Sequence, residues 1–273
     1  MKFAPISMGA GMGRPLCALI LTLLICGCVS VKPPRSSTEV EVGSAQLNPK
    51  PGRPEFGFFK SGSKLRPRGC ESSGTCTLAA DLAFVDRQQR LEWSAKAGNK
   101  TDGASIPKIF QPFIGSPFDS SYLDAAIIHD HYCDRNVRSF LSTHRVFYNA
   151  MMALGVEKKQ ALIMYYAVLV GGPKWLKLEA GEVCGPTCIR DARLAQFGVM
   201  ASADGRFVTR GPRYDDAAVK SEMRKGEDWI KNAAAPPSLD EIERRAIDRY
   251  PGDPMLQNLG QYEITRSQLV PRT

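Results

Sequence analysis

The sequence predicts an α+β fold: short N-terminal β strands, then a three-helix core, then peripheral C-terminal helices. Three observations carry this. Leu78, Leu82 and Phe84, then Leu91 and Trp93, flank the polar stretch Asp86 to Arg90, as two short strands around a turn do. Between Ser121 and Pro173, three apolar runs are separated by helix cap and stop residues. The last third is highly charged and carries a capping box, the signature of exposed helices.

Each element follows in order along the chain. Lys2 and Arg14 bracket a loose basic region, and Leu16 to Ile25 is an apolar run too short to span a bilayer comfortably. Residues 1–27 therefore read as a secretory signal peptide. The run ends in Ile25, Cys26, Gly27, Cys28, which resembles the bacterial lipobox, with Cys26 an unusual occupant of its slot. That resemblance implies cleavage before Cys28 and its lipidation, through palmitate and related acyl chains, as the new N-terminus. A cleaved signal without lipid is the competing reading. The expectation is a lipoprotein of the bacterial cell envelope, lipid-anchored at the outer membrane and facing the periplasm.

Residues 28–60, rich in Pro, Ser, Lys and Gly, read as a lipidated flexible tether; 61–180 read as the core domain, and 181–273 as a peripheral helical extension and tail. In the core, Ser121 is placed to cap a helix through Asp134, Ser142 or Thr143 a second that ends at Gly155, and Glu157 opens a third that Gly171, Gly172 and Pro173 break. The third is apolar nearly all round and reads as the buried strut. Arg190 to Phe197 and Asp215 to Asn232 suit exposed helices, and Ser238 with Glu241 opens one that ends at Tyr250.

The formal net charge is +8 at pH 7 and falls to +6 when Lys2 and Arg14 leave with the signal. The remaining basic residues are scattered, with no stripe interleaved with aromatics, so nucleic acid is excluded as the expected partner. A mild positive balance suits envelope lipid headgroups or peptidoglycan carboxylates. Beyond Cys28 the cysteines are Cys70, Cys76, Cys133, Cys184 and Cys188. In an oxidising compartment the close spacings predict the disulfides Cys70–Cys76 and Cys184–Cys188, leaving Cys133 over; zinc binding by the same four thiols is the alternative, with spacings unlike zinc knuckles.

The chemistry concentrates at His129, Asp130, His131, Tyr132 and Cys133, an ionisable cluster entered from the apolar run Leu123 to Ile128. Burying His beside Asp is costly unless they pair, bind metal or react. His129 shares a helix face with Cys133, and His144 with Phe147, Tyr148 and Met151, so antiparallel helices bring His129 to His144. His131 points about 200° away from His129.

The stretch Thr101, Asp102, Gly103, Ala104, Ser105, Ile106, Pro107, followed by Ala125 to Asp130, Tyr132, Phe147, Ala150, Met151, Gly155 and Gly172 to Trp175, resembles the bacterial and phage family called domain of unknown function 1353, over residues 78 to 176. The family name implies no activity. Where the family usually has Ala-Asp before the second helix's aromatic, this chain has Thr143 and His144.

His129, Asp130 and Tyr132 are also similar to the His-Asp helix of secreted phospholipases A2. That likeness implies His129 as general base towards water attacking an ester and Asp130 as a calcium ligand, with Gly115 to Phe118 where a calcium loop would lie and Asp102 as a substitute orienting carboxylate. A second reading makes Asp130 and His144, with His129 and Asp102, ligands of zinc. No His-Glu-x-x-His or comparable helical ligand pair is present, and Cys133 at its offset from His129 forms no dyad with a third group. The expected catalytic set is His129, Asp130, Asp102 and Tyr132, acting on lipid or envelope polymer. The rival is a non-catalytic structural or interaction lipoprotein in which the His-Asp pair fixes helix register.

Overall fold

The structure is a computed structural model that describes residues 52–62, 76–101, 121–184 and 192–269. The expectations resting on the signal, Cys28, Cys70, Asp102, Gly115 to Phe118 and Cys188 lie outside the described residues. The fold class is α+β, with strands early in the chain, a three-helix cluster and further helices after it.

The N-terminal part contains β1 (Gly57–Phe59), β2 (Cys76–Thr77), β3 (Leu82–Asp86), β4 (Leu91–Ala95) and β5 (Lys100–Thr101). β1, β3 and β4 form an antiparallel sheet with Phe84 opposite Trp93, and β2 pairs with β5. The polar turn closes because Asp86 accepts from the amides of Gln88 and Gln89, both at 2.9 Å, while Arg90 takes a left-handed φ of 55°. β1 falls within the stretch expected as tether. Gly57 has φ +142°, and a Cβ there would sit 2.2 Å from the Val85 carbonyl oxygen, so a glycine that reads as linker composition is a strand requirement.

Three helices follow, α1 (Leu123–Arg135), α2 (Phe140–Ala153) and α3 (Lys158–Gly171); α1 and α2 pack on the strands, and α3 packs on α2. α1 has Tyr122 rather than Ser121 at its N-cap, and Asn136 ends it in the left-handed region. Ser139 caps α2 by accepting from Ser142 N at 3.1 Å, so this helix starts before the expected Ser142 or Thr143. Glu157 caps α3 through Gln160 N at 2.9 Å, and the run Ala161 to Gly171 is buried throughout. The four residues between α1 and α2 turn the chain back into an antiparallel hairpin. Asp86 ties the sheet to it, accepting from Asn149 Nδ2 at 3.0 and 3.1 Å.

The C-terminal third adds β6 (Lys174–Leu178), α4 (Ala192–Ala195), β7 (Met200–Ala201), β8 (Phe207–Arg210), α5 (Ala217–Asn232), α6 (Leu239–Arg249), α7 (Pro254–Gln257) and β9 (Glu263–Ile264). α5 and α6 stand where the charged segments predict them, α6 with its Ser238–Glu241 capping box. Beside these helices stands a four-stranded sheet, β7-β8-β6-β9, with its own core of Trp175, Leu176, Leu178, Val208, Met255 and Ile264, which the sequence pattern does not predict. Consecutive tyrosines lock α3 to two helices. Tyr165 donates to Glu243 at 2.6 Å, where Arg145 also forks at 2.7 Å, and Tyr166 donates to Glu222 at 2.7 Å, which Arg245 reaches at 2.9 Å. Among the described residues, no helix is long and apolar enough to cross a membrane.

Candidate functional site

The facing apolar stripes of α1 and α2 enclose a polar pair at their centre. His129 Nε2 lies 2.9 Å from His144 Nδ1, and both rings are buried. His144 Nε2 lies 3.2 Å from the Pro173 carbonyl oxygen, which the Gly172–Pro173 helix stop presents. A carbonyl only accepts, so this nitrogen carries the proton. Burial first, then His129 and Lys174, hold His144 well below the usual imidazole range. The neutral ring therefore offers Nδ1 as a lone pair, and His129 Nε2–H donates to it. His129 Nδ1 is left as the basic nitrogen.

That nitrogen faces Asp130, whose Oδ1 is 3.6 Å away, beyond a direct hydrogen bond. Asp130 Oδ2 accepts from Thr101 Oγ1 at 2.7 Å, so β5 is pinned to α1 beside the cluster. Asp102, which follows Thr101 in the chain, lies outside the described residues.

Cys133, one turn along α1 from His129, brings its Sγ to 3.4 Å from His129 Nε2. Ligand atoms of His129, Cys133 and His144 all lie within 4.8 Å of one another. Burial, then Asp130 and Asp134, push the Cys133 thiol well above its usual range, and Lys174 opposes them. Lys174 is itself buried, donating to the carbonyls of Gly172 at 3.1 Å and Val170 at 3.3 Å, and burial holds its ammonium well below the ordinary lysine range. The rings of Phe147 on one side, and Phe140 and Trp175 on the other, wall the imidazoles in. Phe147 belongs to the helical core and Trp175 to the second, so the cluster sits at their seam.

The structure thus brings His129, Asp130 and His144 together, but not in every expected role. Asp130 lies on the Nδ1 side of His129 and His144 on its Nε2 side, so the imidazole separates the two residues read as a metal pair. Tyr132 turns to β4, where its hydroxyl accepts from Ser94 N at 3.2 Å and its ring meets Trp93 edge-on, away from the imidazoles. His131 is buried elsewhere on α1, as its angular offset requires. Sequence reasoning passed over Cys133 as a ligand although His129 and Cys133 form a helical i, i+4 pair, and gave Lys174 no role.

A family model described as Protein of unknown function (DUF1353) matches residues 76–168, which contain His129, Asp130, Cys133 and His144. Uncharacterized protein y4iH of Sinorhizobium fredii is 38% identical over 179 residues, which are 64% of this chain and 71% of that protein. Uncharacterized protein y4jT of the same organism is 40% identical over 136 residues, 48% of this chain and 40% of its own length, so the chain spans two fifths of that relative. No solved structure matches the chain.

Proposed function

The chain belongs to the protein family of unknown function DUF1353, and from that premise we propose an envelope lipoprotein, anchored through Cys28, whose family domain hydrolyses envelope lipid or polymer by activating water at His129. The single observation that carries the reading is the His129–His144–Pro173 relay. It fixes the tautomer of His129 so that the basic nitrogen faces Asp130, whose side chain is 17% exposed. A water that bridges the two from the side, hydrogen-bonded to both, is held by the carboxylate and loses its proton to the imidazole as it attacks a carbonyl. Thr101, the residue before Asp102 in the chain, also holds Asp130 at this place. The two local disulfides belong to the same reading, supported by the burial of Cys76 and Cys184 and by Cys133 being the free cysteine among those described.

The test is turnover by the detergent-solubilised full chain on phospholipid vesicles and on peptidoglycan, each with calcium, zinc or chelator. His129→Asn lowers the rate by about a hundredfold or more while circular dichroism stays that of the folded chain. A second reading is favoured by the burial of both imidazoles, which satisfy each other and the Pro173 carbonyl and so fix helix register. Absence of turnover under every condition, with His129→Asn shifting only the thermal midpoint, establishes that structural role instead.

A further inference from the structure

We propose that His129, Cys133 and His144 bind one divalent cation of the zinc class, a site that uses Cys133 in place of a carboxylate. The proposal deepens the hydrolase reading and rests on the same cluster.

Its geometry begins in the sequence. The i, i+4 offset on α1 puts the Cys133 sulfur and a His129 nitrogen over the same turn, and the antiparallel α2 supplies the third donor from the opposite side. Tetrahedral zinc with bonds of about 2.0 Å to nitrogen and 2.3 Å to sulfur spaces its donors about 3.3 Å apart for two nitrogens and 3.6 Å for nitrogen and sulfur. Here the separations are 2.9 Å between His129 Nε2 and His144 Nδ1 and 3.4 Å between Cys133 Sγ and His129 Nε2, with all three donors within 4.8 Å of one another, so the two ring nitrogens part by a few tenths of an ångström and the Cys133 and His144 side chains adjust to share one ion. His144 has the outer partner that metal-bound histidines use, the Pro173 carbonyl on Nε2, and Asp130 stands 3.6 Å from His129 Nδ1, close enough to become the second when that nitrogen takes the proton. Two nitrogens and a sulfur suit zinc or cobalt and disfavour calcium and magnesium, which take oxygen.

Loading exchanges protons in a defined way. The Cys133 thiol gives its proton to solvent and its sulfur bonds the cation, while aqua ligands leave as water. The proton on His129 Nε2 is displaced and re-forms at Nδ1 towards Asp130, so about one proton is released per cation. A fourth position remains for water, which the cation acidifies. In the loaded protein that water is the nucleophile, and His129 acts as a ligand rather than as the base.

Cobalt(II) titration of the full chain, prepared with chelator, tests the site without reference to activity. The expected result is about one cobalt per chain with a sulfur-to-cobalt charge-transfer band and tetrahedral visible absorption, displaced by zinc. Cys133→Ala abolishes the charge-transfer band, and His144→Gln weakens binding at least tenfold. Should either variant misfold, the wild-type chain still decides: zinc protects Cys133 from alkylation, and chelator removes the protection. No cobalt binding, binding without the sulfur band, a band that survives Cys133→Ala, or alkylation indifferent to zinc overturns the proposal. A cobalt signature without turnover keeps the site and refutes the hydrolase; turnover unaffected by chelator, without the band, does the reverse.

Discussion

Burial of the Tyr148 phenol pushes its pKa up to about 12, against a weaker pull downward from Arg53. The folded value lies above the ordinary 10, so the neutral phenol stabilises the fold fully below pH 10, and that contribution is lost as pH rises from about 10 through about 12. Urea unfolding across this window is expected to show a declining midpoint that Tyr148→Phe partly flattens, with Tyr250, also raised to about 12, and the raised phenols of Tyr165, Tyr166 and Tyr262 contributing to the remainder. An identical decline in the variant would refute the assignment. At this scale, residues sharing a helix face were readable: the offsets that align His144 with Phe147 also predict its meeting with His129. Cys133 escaped because counting cysteines by disulfide spacing leaves it merely over. Lys174 escaped because a lysine after Gly-Gly-Pro reads as solvated, whereas it turns inward onto the carbonyls of the helix end before it.

Between α3 and α5 the contact depends on a missing side chain. A methyl at Gly226 would lie 2.0 Å from Cε1 of Tyr166, whose ring is 1% exposed and whose hydroxyl is tied to Glu222. Gly226→Ala is therefore expected to destabilise by about 1–3 kcal/mol, more than the helix-propensity gain of about 1 kcal/mol returns. Calorimetry should place the thermal midpoint a few degrees lower; an unchanged midpoint would mean that α5 slides to accommodate the methyl. The helices longer than ten residues were legible because cap, periodicity and stop agree over several turns. The strands of the second sheet were not: β7 and β9 have two residues each, and β6 carries its first lysine buried, so neither length nor alternation marks them.

For the molecule as a whole, residues Leu47–Thr273 form one compact unit that carries both cores. Lipid attachment through Cys28 is expected to appear as incorporation of a palmitate analogue in cells and to vanish with Cys28→Ser; labelling that survives would remove the anchor from the proposal. The second sheet has a consequence for biosynthesis. β6 lies between β8, its antiparallel partner, and β9, which joins it in parallel from the far end of the chain. A nascent chain therefore completes α1, α2 and α3 long before β6 can acquire both neighbours. Pro173 and Trp175, at the start of that central strand, gain their full support only once β9 has emerged and paired with it. The histidine pair forms early, but its surroundings mature last, so a chain truncated before Glu263 should retain the helices while leaving the cluster loosely walled.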